Sequence, residues 1–196
     1  MKKKLIIIVI ICLSLFIFRN SIIRQYFISK IEYVDYDEYI LIDYLNGKKN
    51  KASYVGADFM VVLGYNEKEE VEHIVEYDYN KMLQHQYNVL EDGGDKDGNN
   101  GDRPLNLNNE QLLVLLKSKK RLSYKGIEKV IGRDVYVLKF DFKQNNVITI
   151  YLDKDLLYTV RYEEKYAKQN TDSNIINDYE LDLELKHKDL FKEYIN

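Results

Sequence analysis

Three histidines, one cysteine and a surplus of carboxylates are the residues of this chain that could carry reaction chemistry. His73 and His85 fall in segments that read as strands, and His187 lies near the C-terminus. No HxH or HxxxH pair occurs, so the spacing supplies no ready zinc site. The one cysteine, Cys12, sits inside an apolar run, which leaves the rest of the chain without a thiol nucleophile, a disulfide or a thiolate metal site. No GxSxG elbow, phosphate-cradling glycine loop or dinucleotide fingerprint is present. The stretch from Asp92 to Asp102 is rich in Asp, Gly and Asn, which invites a test for a calcium loop. In a register starting at Asp95, Asn100 falls where the loop needs Gly and Asn106 where it needs Glu. The loop reading is therefore a solvated hairpin connection over residues 91–104. Acidic residues alternate along the predicted strands, as a wetted face would. No catalytic residue, metal ligand or cofactor-binding residue is assigned, and the chain reads as a non-enzyme.

Charge divides the chain into two objects. Residues 1–30 hold six Lys or Arg and no acid, whereas the remaining residues carry a net −9, although the whole sums to only −3. Lys2, Lys3 and Lys4 precede the apolar run Leu5–Phe18, interrupted only by Cys12 and Ser14. As a helix, that run spans roughly 21 Å at about 1.5 Å per residue. The length suits a signal-type apolar segment, and Phe16-Ile17-Phe18-Arg19 offers no small residue to mark a cleavage site. The reading adopted is an uncleaved signal anchor, with a cleaved signal or a lipoprotein as alternatives. Lipidation at Cys12 would want a small residue before it, and Ile11 stands there. Leu5, Ile8, Ile11, Cys12, Leu15 and Phe18 are the expected membrane-anchor residues. The three lysines hold the N-terminus in the cytoplasm, which places the C-terminal domain outside the cytoplasmic membrane as a single-pass protein. The expected division is thus an anchor over 1–30 and an extracytoplasmic domain over 31–196. An acidic exterior excludes nucleic acid as a partner.

The elements behind this body alternate mainly with period two. Tyr36 to Asn46 reads as a short amphipathic helix, with Asp35 and Glu38 as a capping pattern and Gly47 as its stop. Strands are expected around 53–63, 71–79 and 81–90, with Gly64-Tyr65-Asn66 as a turn. Leu105–Lys120 is a second helix, capped by Asn108 or Asn109. Four strands follow, at 136–142, 148–152, 156–163 and 175–185, the last with one core face and one acidic face in water. The composition has 18 Tyr, one Pro and no Trp, which favours half-wet strands and excludes a disordered chain.

Three segments carry a resemblance. Ile131-Gly132-Arg133-Asp134-Val135-Tyr136-Val137-Leu138 resembles a "G-x-x-x-Y-x-L" strand of the LolA-like family, the outer-membrane lipoprotein carrier superfamily. Ile148 to Asp155 is similar to that family's "lwiDk" strand and turn. Asn177 to Asp182, with Asp189-Leu190-Phe191, resembles its closing strand and terminal "lF". The resemblance implies an α+β fold: a strongly curved antiparallel sheet, an incomplete β-barrel, with helices packed on the open concave side, here added to an N-terminal membrane helix. The Ile-, Lys- and Asn-rich, Pro-poor composition resembles proteins of AT-rich Gram-positive bacteria, where related proteins include envelope lipoproteins of sporulation and germination. By that resemblance the partner is an envelope protein, such as a cell-wall or spore-cortex hydrolase. A lipid or lipoprotein acyl chain held in the concave face is the alternative.

Overall fold

Asn46-Gly47 decides how the body begins. Both residues adopt positive φ (+50° and +82°), and Leu45 pairs with Lys48 across them. That is the two-residue turn whose twist suits a β-hairpin, and Asn-Gly is its preferred sequence. The segment before it is therefore strand β1 (Tyr39–Leu45), which corrects the helix expected over 36–46. The run Tyr39-Ile40-Leu41-Ile42 is apolar on both sides because each face meets its own cluster, Tyr39 and Leu41 with Val55 and Leu181, Ile40 and Ile42 with Val61 and Phe191. Continuous apolarity imitates a helical face when only spacing is considered.

The structure is a computed structural model that describes residues 18–32, 36–81, 83–88, 96–99, 109–142, 146–168 and 171–195. Helix α1 covers 18–31. The strands that follow β1 are β2 (Lys48–Val55), β3 (Phe59–Tyr65), β4 (Val71–Asp78), β5 (Leu83–Asn88) and β6 (Lys96–Asn99). After α2 (Glu110–Lys117) come β7 (Arg121–Val130), β8 (Arg133–Asp141), β9 (Val147–Asp153), β10 (Thr159–Lys168) and β11 (Thr171–Asp182). A short 3-10 turn, Lys188–Phe191, ends the body.

All pairings are antiparallel, in the order β6-β5-β4-β3-β2-β1-β11-β10-β9-β8-β7. The expected curved antiparallel sheet is present, and it is not closed. It consists of two meanders, β1–β6 and β7–β11. They join where the first strand of one meets the last of the other, Leu41 opposite Leu181.

The single strand expected over 53–63 is two, the end of β2 and most of β3, joined by a turn at Gly56-Ala57-Asp58 where Gly56 N–H donates to Phe59 O. β6 and β7 were not expected at all. β7 hides its alternation behind a bulge at Gly126, where φ is +108° and the register slips between Tyr124 and Gly126. β6 lies in the stretch read as a loop, where Lys96–Asn99 pairs with β5 through backbone groups that need no apolar side chains. The rest of the 91–104 loop is outside the described residues. Gly64 is also not a turn residue. It lies within β3 opposite His73, and a Cβ there would sit 1.9 Å from that imidazole ring, so the missing side chain is what lets the ring lie across the strand.

Three apolar clusters fill the body. In the first, Phe27 and Ile31 of α1 and Leu112, Leu113, Leu115 and Leu116 of α2 pack on Leu122, Leu138, Phe140, Ile148, Ile150 and Leu152 of β7–β9. A second cluster gathers Tyr39, Val55, Val135, Val137, Tyr158, Val160 and Leu181. A third sets Phe191 of the 3-10 turn against Ile40, Ile42, Tyr54, Val61, Leu63 and Ile74. The two helices are clasped to each other as well. Arg24 donates to Leu115 O at 3.0 Å, to Leu116 O at 2.7 Å and to Lys120 O, so a cation caps the carbonyl end of α2. Lys117 meets Glu32 at 2.6 Å.

Candidate binding surface

The turns that carried the resemblance come together in space. Asp153 ends β9, and its Oδ1 accepts from the backbone N–H groups of Asp155 (2.8 Å) and Leu156 (2.7 Å). Its Oδ2 accepts from Arg133 at 3.2 Å, and the Arg133 guanidinium lies 5.5 Å from the centre of the Tyr158 ring. Lys154 N–H donates to Asp134 O at 3.0 Å, which locks the β7–β8 turn to the β9–β10 turn.

Asn109 completes this hub in an unexpected way. It stands at the N-cap of α2 but makes no side-chain cap. Fully buried, it donates through Nδ2 to Leu157 O at 2.5 Å and accepts at Oδ1 from the Thr159 hydroxyl at 3.0 Å. A buried amide satisfied on both sides fixes where α2 begins against the sheet. The hub is thus a positioning device, with the leucine face of α2 as what it positions.

A second polar group ties the C-terminus down. Asp182 was expected on a wetted acidic face, yet it is buried, because the chain folds back over it. It accepts from Glu184 N–H (3.1 Å), His187 N–H (2.9 Å) and the His187 imidazole Nδ1 (2.9 Å). Burial pushes the Asp182 carboxyl up, but these hydrogen bonds outweigh it and hold the group below its ordinary value. Beside it, Lys188 meets Glu38 at 3.3 Å and lies 5.5 Å over the Tyr54 ring, while the Tyr54 hydroxyl donates to the same carboxylate. Asp178, also read as wetted, pairs with Arg161 at 2.5 Å.

Among the described residues, no group of three or more His, Cys, Asp or Glu is placed to hold a metal ion. His73 packs over Gly64 and His187 braces Asp182; the His85 side chain is outside the described residues. The tyrosines are held as proton donors. Burial and nearby carboxylates push Tyr44, Tyr151 and Tyr158 up to about 12.

Of the expected anchor residues, Leu5, Ile8, Ile11, Cys12 and Leu15 lie outside the described residues. Phe18 opens α1 and is 59% exposed. Among the described residues no helix is long and apolar enough to cross a membrane. Residues 23–30, assigned by sequence to the anchor segment, pack with the body through Ile23, Phe27 and Ile28, and Ile31 continues that face.

Pockets among the described residues include one of about 330 Å³ at the β1–β2 turn, lined by Lys48, Lys49, Tyr65 and Glu67. Two others are places a partner could enter. One, of about 290 Å³, lies at the β3–β4 rim and is lined by Phe59, Met60, Val61, Tyr77 and Tyr194, with Glu76, Asp78 and Lys81 around it. Another, of about 350 Å³, lies between the start of α1 and β7 and is lined by Arg19, Asn20, Arg121, Leu122, Ser123, Tyr124 and Lys125. Sequence reasoning found neither, since each joins residues from separate elements. The basic segment 1–30 was the one legible hint of the second.

No protein-family model and no curated protein matches this chain. Solved structures similar to it include the lipoprotein LppX of Mycobacterium tuberculosis, at 11% identity and a TM-score of 0.43 over 83% of this chain and 90% of that one. The MucA/MucB complex of Pseudomonas aeruginosa matches at 12% identity and a TM-score of 0.35, over 81% of this chain and 56% of the other. An outer-membrane lipoprotein-sorting protein domain of Vibrio parahaemolyticus matches at 11% identity and a TM-score of 0.30, over 85% and 95% of the respective chains.

Proposed function

We propose that this chain is a non-enzymatic, membrane-anchored binding module whose folded body stands outside the cytoplasmic membrane and docks a protein of the cell envelope. The observation that carries the reading is the rim pocket at β3–β4. Its lining of Phe59, Met60, Val61, Tyr77 and Tyr194 is apolar and aromatic, joined by Glu76 and by Asp78, which Lys81 pairs at 2.9 Å. Such a lining takes an inserted apolar side chain, and tyrosine serves interfaces by joining a large apolar area to a polar tip. A cell-wall or spore-cortex hydrolase is the finer partner class that the sequence resemblance brings. An acyl chain in the interior is less well served. The described space beneath α1 and α2 is filled by leucine, isoleucine and phenylalanine side chains, and cargo would have to displace α2.

Photo-crosslinking in the native membrane tests the reading. The full chain with a benzophenone residue in place of Tyr77 is expected to give one discrete adduct, weakened by Tyr194→Ala. The same probe at Lys129, on the edge strand β7, is expected to give no protein adduct. Equal protein labelling from both positions, or a fatty acyl chain held beneath α2 in the purified chain, would overturn it.

A further inference from the structure

The pocket between α1 and β7 is basic, unlike the β3–β4 rim. Arg19, Arg121 and Lys125 line it, all exposed, beside the Ser123 and Tyr124 side chains, and no acid is among its lining residues. None of the three cations forms an ion pair with another described residue. Asp141, which faces Arg121 across the β7–β8 ladder, pairs with Lys139 at 3.7 Å. Lys120 and Arg24 are adjacent, so the corner gathers positive charge while the chain beyond residue 30 carries −9.

Its position names the occupant. Arg19 follows directly on Phe18, the last residue of the apolar run Leu5–Phe18, and the first stretch outside the described residues ends at Ile17. Phe18, Ile22 and Tyr26 recur at four-residue spacing on α1, at 59%, 52% and 46% exposure, which makes an uncovered apolar stripe continuing from that run. A bilayer entered by residues 5–18 would have its headgroup layer at this corner. Among the described residues the edge strand β7 pairs with β8 alone, which leaves its outer backbone groups open beside the pocket.

We propose that this corner is a headgroup site for anionic phospholipid, with Arg19, Arg121 and Lys125 taking the phosphodiester and the Ser123 hydroxyl available as a further donor. The site rests on the membrane-anchored reading. It gives that reading an orientation, with the β7 edge seated on the membrane and the β3–β4 rim, several strands away, left for a partner.

Amide hydrogen exchange on the full chain tests it, in vesicles of phosphatidylcholine alone and of phosphatidylcholine with phosphatidylglycerol. The β7 amides are expected to exchange several-fold more slowly with phosphatidylglycerol present. That slowing is expected to disappear in the Arg121→Gln/Lys125→Gln double variant and in high salt. Exchange rates in phosphatidylcholine serve as the folding control for the variant. A chain that floats with both vesicles while β7 exchanges identically in each would overturn the headgroup site and leave the anchor standing. A chain that floats with neither would overturn the anchor and the site together. Equal slowing by inorganic phosphate without vesicles would assign the pocket to a soluble anion and overturn the lipid source.

Discussion

Asp43 is the carboxylate in this body that the fold serves worst. Its Oδ1 is buried with no hydrogen-bond partner, while Oδ2 accepts from Asn50 at 3.3 Å. Burial raises its pKa above the ordinary 3.8, and the Asn50 bond and the Lys51 charge only partly offset this. Because the folded value lies above the unfolded one, the charged group costs native stability at neutral pH, and the cost vanishes below the unfolded value. Asp43→Asn is therefore expected to stabilise the protein by ~1 kcal/mol at pH 7. The gain should fade as pH drops through the raised pKa towards 3.8, and denaturant unfolding at both ends of that window checks it. The tyrosines show the opposite arrangement. Tyr44 donates to Glu180 at 3.2 Å, Tyr162 to Glu164 at 3.1 Å and Tyr54 to Glu38, so a few of the carboxylates that make the body acidic are what tyrosine hydroxyls bind. That pairing accounts for Tyr in place of Phe on half-buried strands.

Turns decide most of what the elements do. Asn46-Gly47 and Ile131-Gly132 are both two-residue turns with two positive φ values, and both join adjacent strands. The first was read as a helix stop and the second as a strand start, because glycine ends either kind of element. β8 and β9 were legible as alternations, and α2 as a leucine-rich helix. β1 was not, since it is buried on both sides, and β7 was not, since Gly126 shifts its phase. Gly64 and His73 provide a test at this scale. Gly64→Ala places a methyl group against the imidazole and is expected to destabilise by ~1–2 kcal/mol. With His73→Ala in the same chain, the sign should reverse, because alanine is the better strand residue once the ring is gone. A double-mutant cycle from urea unfolding reads both.

At the level of the whole molecule, two meanders share one sheet only through β1 and β11, the strands nearest the two ends of the body. The α1 and α2 side chains then fill the space over β7–β9. Leu116, at 1% exposure, lies in the middle of that packing. Leu116→Ala is expected to cost ~2–5 kcal/mol in denaturant unfolding, the loss for a leucine that close packing surrounds. A near-neutral result, together with uptake of a fluorescent fatty acid by the unaltered chain, would mean an interior built for cargo instead of a packed one.

What the sequence determined by itself was the charge division, the apolar run with its basic flank, the lack of paired metal ligands and thiols beyond Cys12, and the strands whose two faces differ. Those are local properties, written in composition and in period. Only the tertiary structure decided that β1 is a strand, that Asn109 and Asp182 are buried and satisfied, and that Arg19 meets Arg121 and Lys125 at one corner. Asn109 and the basic corner depend on groups far apart in the chain, 50 residues between Asn109 and Thr159 in the first case. Asp182 is instead satisfied by Glu184 and His187 close by, in a fold-back that period-two alternation does not show. Burial and satisfaction are set by the partner met in space, and a pattern of neighbours cannot record it.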